Sequence, residues 1–250
     1  MEFDDKTTDF GYKNVPINEK NNYVKGVFDK VAVKYDIMND FMSFGLHHYW
    51  KSFAVKKGLV AKGGRVLDLA AGTGDITKLW CDAVGDSGDV VMSDINFSML
   101  QEGRGKLLDN GYWAKIFCMQ LNAEQLPFAN DSFDCVSIGF GLRNMTHKEQ
   151  VLRESYRVLK PGSRLIVLEF SCPENEVIKK LYDFYSFKII PKIGKLIADD
   201  KESYEYLVES IRKHPKPLEL KQTFLNAGFD KCEFDLLNFG VVAVHYGEKY

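Results

Sequence analysis

The sequence predicts an α/β fold: a mostly parallel sheet with helices on both faces, closed by an antiparallel hairpin at the C-terminus. Three observations carry this. Short apolar runs (Val66–Leu69, Val90–Met92, Ile116–Met119, Val136–Ile138, Leu165–Leu168) alternate with stretches of helical periodicity, the pattern of repeated βαβ units. The first run is followed by a glycine-bearing turn, Ala71-Gly72-Thr73-Gly74-Asp75, which opens a helix. The second run ends in Asp94, 20 residues beyond Gly74, where a doubly wound fold brings a carboxylate to a bound ribose.

Residues 1 to 22 are polar and acidic and are expected to form a flexible arm, with Phe10, Tyr12 and Val15 able to pin part of it to the body. From Tyr23, the spacing of Val24, Val27, Phe28, Val31 and Tyr35 is helical and runs into the aromatic- and methionine-rich stretch 35–50. Residues 23–60 read as a helical lid. Tyr35, Asn39 and His47 are its candidate substrate contacts, because polar groups among so many apolar neighbours need partners.

Asp68, Gly72 and Gly74 are candidate cofactor residues. Glycine is needed where a ligand lies against the backbone, because there is no space for a Cβ. A dinucleotide fingerprint would place glycine or alanine at the position held by Thr77, and Asp75 would repel a pyrophosphate at the helix N-terminus. S-adenosylmethionine (SAM) has no phosphate and carries a sulfonium, so Asp68 and Asp75 suit it. The loop reads as SAM-binding, with an NAD(P) dehydrogenase as the alternative.

Ser98–Asn110 reads as a helix and Ile116–Gln120 as a strand ending at Asn122-Ala123-Glu124. Such a turn can meet an adenine edge through Asn122 and the Ala123 backbone, and it can equally start a helix. Phe133 to Asn144 is the fourth strand of the series together with an unusual ending, Gly141-Leu142-Arg143-Asn144. The carboxyl end of a parallel strand faces the ligand crevice, so Arg143 and Asn144 are the catalytic candidates. The Asn-Pro-Pro-Tyr type of motif expected for methylation of an adenine amino group does not occur there.

Glu149–Leu159 is helical, Pro161-Gly162 a turn, and Arg164–Phe170 a fully buried strand. Between Val177 and Ala198, apolar residues interleave with Lys179, Lys180, Lys188, Lys192 and Lys195, and Pro191 and Gly194 interrupt the helix. Residues 177–215 are expected to form a helical insertion over the substrate pocket that can touch an anionic bilayer or pack on the core with its lysines solvated. Tyr204–Ile211 and Pro217–Ala227 read as helices, and Lys231–Leu237 and Val241–Tyr246 as the terminal hairpin, turning at Asn238-Phe239-Gly240.

The 250 residues suit one domain, 23–250, with a substantial core. Thirty-three basic against 35 acidic residues give a formal charge of −2, which argues against nucleic acid as a partner. The five cysteines form no C-x-x-C pair, so neither a metal site nor a disulfide framework is expected. The polar start and the lack of an 18-residue apolar run predict a cytoplasmic protein, with contact at the inner face of the cytoplasmic membrane open to it.

Two segments resemble the ubiquinone/menaquinone biosynthesis C-methyltransferases (UbiE family). Tyr35-Asp36-x-Met38-Asn39-x-x-Met42-Ser43-x-x-x-His47-x-x-Trp50 is similar to that family's N-terminal signature. Arg157-Val158-Leu159-Lys160-Pro161-Gly162-Ser163-Arg164-Leu165-Ile166-Val167-Leu168-Glu169-Phe170-Ser171 resembles its second one, with Ser163 where glycine is usual. The resemblance implies a Rossmann-like class I methyltransferase fold with a seven-stranded sheet, and SAM as methyl donor to a ring carbon of a polyprenylated quinol. It carries cofactor roles to Thr73, Asp94, Asn122 and Ala123. A further family position, usually serine, falls on Gly139. A homodimer or a quinone-biosynthesis complex is the candidate assembly. Arg143 is expected to stabilise a developing phenolate, with a water held by Arg143 and Asn144 as the proton acceptor, because a guanidinium is a reluctant base.

Overall fold

The computed structural model describes residues 6–31, 35–112, 115–173, 175–189 and 201–250, with the backbone alone at Val31, Tyr35, Met38, Phe41 and Lys201. The elements in order are β1 (Thr7–Phe10), β2 (Lys13–Pro16), α1 (Lys20–Val31), α2 (Tyr35–Ser43), α3 (Leu46–Lys57), β3 (Arg65–Leu69), α4 (Asp75–Val84), β4 (Asp89–Asp94), α5 (Phe97–Asp109) and β5 (Ile116–Gln120). They continue with β6 (Phe133–Gly139), α6 (Lys148–Val158), β7 (Leu159–Phe170), α7 (Glu176–Phe184), α8 (Lys201–Lys213), α9 (Pro217–Asn226), β8 (Lys231–Leu237) and β9 (Val242–Glu248).

The main sheet has seven strands in the order β5-β4-β3-β6-β7-β9-β8. Pairings from β5 across to β7 are parallel, and β9 runs antiparallel to both β7 and β8. The order reverses between β3 and β6, because β4 and β5 lie to one side and the later strands to the other. A crevice opens at such a switch point, outside the carboxyl ends of the strands.

Alternation along the strands sends side chains to two faces. Leu67 and Leu69 of β3 join Val151 and Leu152 of α6 and Leu220 and Phe224 of α9 in one core. Val66 turns the other way, to Trp50 of α3 and to Trp80 and Val84 of α4. Both cores are fully dehydrated at the centre, which is why the strands read as near-continuous apolar runs.

Two differences from the sequence reading have clear causes. Part of the expected arm is a hairpin: β1 and β2 pair antiparallel about Gly11, whose φ of +60° suits a residue without Cβ. It is fixed to α8 by the stacked rings of Phe10 and Tyr206, 4.2 Å apart, and by the Tyr12 N–H donating to Glu209. The expected turn at Pro161-Gly162 lies inside β7, where a bulge lets β7 advance from Leu159 to Arg164 while β6 advances from Phe133 to Cys135. Gly162, at φ +82°, gives its N–H to the Lys249 carbonyl, so the extra residues stay tied to the sheet. The helical reading of 177–198 is met by α7 and a π-helical turn over Tyr185–Ile189. Ile190, Pro191, Lys192, Ile193, Gly194, Lys195, Ile197 and Ala198 lie outside the described residues.

Candidate active site

Two cavities adjoin at the switch point and share the rings of Phe28 and Phe140 as a common wall. The first gathers Gly72, Asp94, Asn122, Ala123, Gly139 and Asn144. Asp94 ends β4 almost fully buried. Its Oδ2 accepts the Gly72 N–H at 2.9 Å and its Oδ1 accepts the Asn96 N–H at 2.8 Å. The Ile95 backbone also bonds this carboxylate, and its remaining lone pairs can accept hydroxyl donors. Burial raises its pKa against the pull of those N–H groups. The backbone at the rim is strained: Ala70 and Phe140 hold φ at +51° and +55° and carry the chain sharply off the ends of β3 and β6.

Asp68, Thr73 and Gly74 do not line this cavity. Strand alternation points Asp68 at α4, where it accepts hydroxyl donations from Thr77 and Ser137, each at 2.6 Å, and Ser137 in turn accepts from the Trp80 indole. Wholly buried, Asp68 has its pKa lifted to about 6 despite both hydroxyls. It braces the loop from beneath. Thr73 donates to Asp36 at 2.6 Å and so latches the loop to α2. Gly74 starts α4 at φ +85°, where a Cβ would meet Leu107. Asp75 pairs with the buried Lys51 at 2.6 Å. Burial pushes the Asp75 pKa up, but the ammonium outweighs it and holds it low.

Asn122 uses its side-chain oxygen to cap its own turn, accepting from the Glu124 N–H at 3.0 Å. A Cβ at Gly139 would lie 2.0 Å from Ile76 Cδ1, the tip of a flexible side chain, so the serine of the resemblance would need Ile76 to turn aside. Residue 139, as glycine, presents backbone alone.

The second cavity gathers Asn39, His47, Phe140, Arg143, Phe170 and Tyr206. Arg143 and Asn144 are buried in a short 3-10 turn after β6. The Arg143 guanidinium lies 2.7 Å from Glu169 Oε1, donates to the Phe140 carbonyl, and sits 5.5 Å from the centre of the Phe170 ring. The Arg143 N–H also donates to Glu169, at 3.2 Å. The sequence reading assigns no role to Glu169. The available signal was a carboxylate directly after the apolar run Leu165–Leu168, at the ligand end of a buried strand. Tyr206, also unassigned by sequence, donates its hydroxyl to Asn144 Oδ1 at 2.9 Å.

His47 is buried at the start of α3. Its Nε2 lies 2.8 Å from Asp40 Oδ1, and the exposed His48 reaches the same oxygen at 3.0 Å. Burial, followed by the charge of Lys51, lowers the His47 pKa below 6.5 and outweighs the opposing pull of Asp40. The Tyr35 side chain lies outside what is described.

The model of the ubiE/COQ5 methyltransferase family matches residues 3–249. The ubiquinone/menaquinone biosynthesis C-methyltransferase UbiE of Methylococcus capsulatus is 55% identical over 98% of this chain and 99% of its own length. The protein of the same name from Francisella tularensis subsp. novicida is 53% identical over the full length of both. Among solved structures, a SAM-dependent methyltransferase from Thermotoga maritima superposes with a TM-score of 0.60 at 18% identity, over 90% of this chain and 99% of that one. The phosphoethanolamine N-methyltransferase 2 of Haemonchus contortus, in complex with S-adenosyl-L-methionine, gives 0.54 at 17% identity, over 74% and 38%. At these identities the two structures speak for the fold.

Proposed function

The chain belongs to the ubiE/COQ5 methyltransferase family, and on that premise we propose that it carries a methyl group from SAM to a ring carbon of a polyprenylated benzoquinol or naphthoquinol. The observation that carries this reading is the pair of cavities meeting at Phe28 and Phe140. One ends in a carboxylate suited to a ribose, and the other holds a buried cation among aromatic rings. The residues fit SAM: Asp94 takes the ribose hydroxyls, the Gly72 backbone permits close approach, and Ala123 and Gly139 offer backbone only. They do not suit a pyrophosphate, because the place of a third glycine is filled by Thr77, wholly buried and bonded to Asp68.

When bound, SAM supplies an electrophilic methyl on a sulfonium. A quinol ring carbon becomes nucleophilic when a neighbouring hydroxyl loses its proton and pushes charge into the ring. Arg143 is the group placed to favour that phenolate, because N–H donors fixed in a low-dielectric cavity stabilise an anion more than mobile water does. Glu169 offsets the guanidinium's net charge and fixes its plane, so Arg143 acts as an aimed donor. Holding both reactants against one aromatic wall supplies the orientation such a bimolecular step requires. Tyr206 anchors Asn144 between the two cavities.

The prenyl tail leaves towards α7. Val177, Leu181 and Phe184 form one exposed face of that helix, with Lys180 and Lys188 exposed beside them, and exposed Phe44 packs on Tyr185 next to the second cavity. This surface suits an anionic bilayer. Among the described residues no helix is long and apolar enough to cross a membrane, so the contact is peripheral. Leu181→Asp with Phe184→Asp is expected to reduce sedimentation with anionic liposomes, and unchanged sedimentation would overturn the contact.

The activity is tested by methyl transfer from labelled SAM to a short-tailed demethylmenaquinol and a demethylated ubiquinol precursor, both kept reduced. Product with either is expected. No product with either, free or in liposomes and with SAM binding intact, would reject the quinol reading.

A further inference from the structure

We propose that His47 is the general base of this site, taking the quinol hydroxyl proton on Nδ1, with Asp40 as its positioning carboxylate and His48 as the proton's exit to solvent. The proposal rests on the quinol reading above and names a group that touches the acceptor.

His47 lines the same cavity as Arg143, and its Nδ1 is buried without a hydrogen-bond partner among the described residues. Its Nε2 faces Asp40 Oδ1 at 2.8 Å. A carboxylate can only accept there, so in the neutral ring Nε2 carries the hydrogen and Nδ1 carries the lone pair. The orphan atom is thus a basic acceptor, and a substrate hydroxyl would complete it. An alternative use of Asp40, His47 and His48, whose ligand atoms lie within 4.8 Å of one another, is coordination of a divalent cation. Coordination through the two Nε2 atoms would move the His47 hydrogen to Nδ1 and leave a buried donor unpaired, whereas metal-bound histidines give that hydrogen to an acceptor. The geometry favours the base. Asn144 Oδ1, which would help to hold a water beside Arg143, already accepts from Tyr206.

The quinol O–H bond breaks and its proton passes to His47 Nδ1, giving an imidazolium held by Asp40. The oxygen's electron pair moves through the ring to the carbon that bonds the methyl, while the methyl–sulfur bond breaks and its electrons neutralise the sulfonium. The ring carbon then loses its hydrogen and the oxygen regains one, so one proton is released overall. His48 has its ring centre 3.9 Å from that of His47, shares Asp40 Oδ1 and is exposed, so it gives the proton a way out.

Burial is the main influence on the protonation state of the ring. Lys51 and His48 also work against the imidazolium, while Asp40 and Asp75 favour it. His47 is consequently neutral at pH 7 and able to accept.

The test has two arms. In methyl transfer to the quinols, His47→Gln is expected to lower kcat by about 100-fold or more, the usual weight of a general base, with SAM affinity unchanged. The acidic limb of the wild-type pH profile is expected to vanish in that variant. Asp40→Asn is expected to move the limb to lower pH, because it removes the group that holds the His47 proton. Nitrogen-15 NMR of histidine-labelled protein at pH 7 is expected to show the Nε2–H tautomer at His47. Wild-type turnover in His47→Gln, or an Nδ1–H tautomer, would overturn the proposal. So would a bound divalent ion whose removal by chelation abolishes activity. The NMR arm needs no acceptor, so it judges the base geometry even where neither quinol is methylated.

Discussion

Glu169 Oε1 and the Arg143 guanidinium are 2.7 Å apart, and both side chains are almost wholly removed from solvent. β7 delivers the anion and the turn after β6 delivers the cation, so two adjacent parallel strands present one ion pair to the second cavity. Breaking a buried pair is costly because the survivor is left as an uncompensated charge.

Arg143→Met and Glu169→Gln are each expected to destabilise the fold by about 3–5 kcal/mol. The double variant should regain much of this, since no lone charge remains, while turnover stays low. Thermal unfolding beside methyl-transfer rates checks both halves. Recovery of activity together with stability would reduce Arg143 to a structural role.

Asp94→Asn keeps the shape of the side chain and removes its charge. Charge-assisted hydrogen bonds contribute about 1.5–3 kcal/mol, so SAM affinity should fall roughly ten- to a hundredfold. Calorimetric titration reads this directly, and an unchanged Kd would displace Asp94 from the cofactor.

Gly139→Ser is expected to cost only about 0.5–1.5 kcal/mol, because its Cβ would meet Ile76 Cδ1 and force that side chain out of its rotamer. The added change Ile76→Val removes that methyl and should restore most of the loss. Denaturant midpoints of the single and double variants decide it.

Asp68 gives the fold a pH signature. Its carboxyl is lifted from the ordinary 3.8 to about 6, so between those values the folded state holds a proton that the unfolded state has released. Its contribution therefore falls as pH rises from about 4 to about 6, by about 3 kcal/mol in all. Subtracting the stability profile of Asp68→Asn from that of the wild type should leave this descending step. A step rising over the same interval would contradict the burial argument.

The sheet was legible because its strands are apolar on both faces, and a run such as Leu165-Ile166-Val167-Leu168 has few other uses. That Asp94, Gly72, Asn122, Ala123 and Gly139 line one cavity follows from their places at or just beyond strand ends, which converge at a switch point. Asp68 does not line that cavity for a local reason: it sits between two residues that face the α6 core, so the pleat sends it to the opposite side. Alternation alone could have shown this. Glu169 was not legible as a partner of Arg143, because a pair 26 residues apart exists only once β6 and β7 lie side by side. The hairpin at Gly11 escaped because two four-residue strands give too short a pattern to separate from an arm.

The position of β9 bears on how the protein is made. Val242–Glu248 is synthesised after the six other strands of the sheet, yet it lies between β7 and β8 and supplies a hydrogen-bonding partner to each. Until the ribosome has released these residues, β7 has an open edge, and β7 is the strand that carries Glu169. The nascent chain can assemble its nucleotide side early, because β3, β4 and β5 are complete by residue 120. The acceptor side has to wait for Val242–Glu248, and a chain lacking them would leave Arg143 opposite a strand without its neighbour.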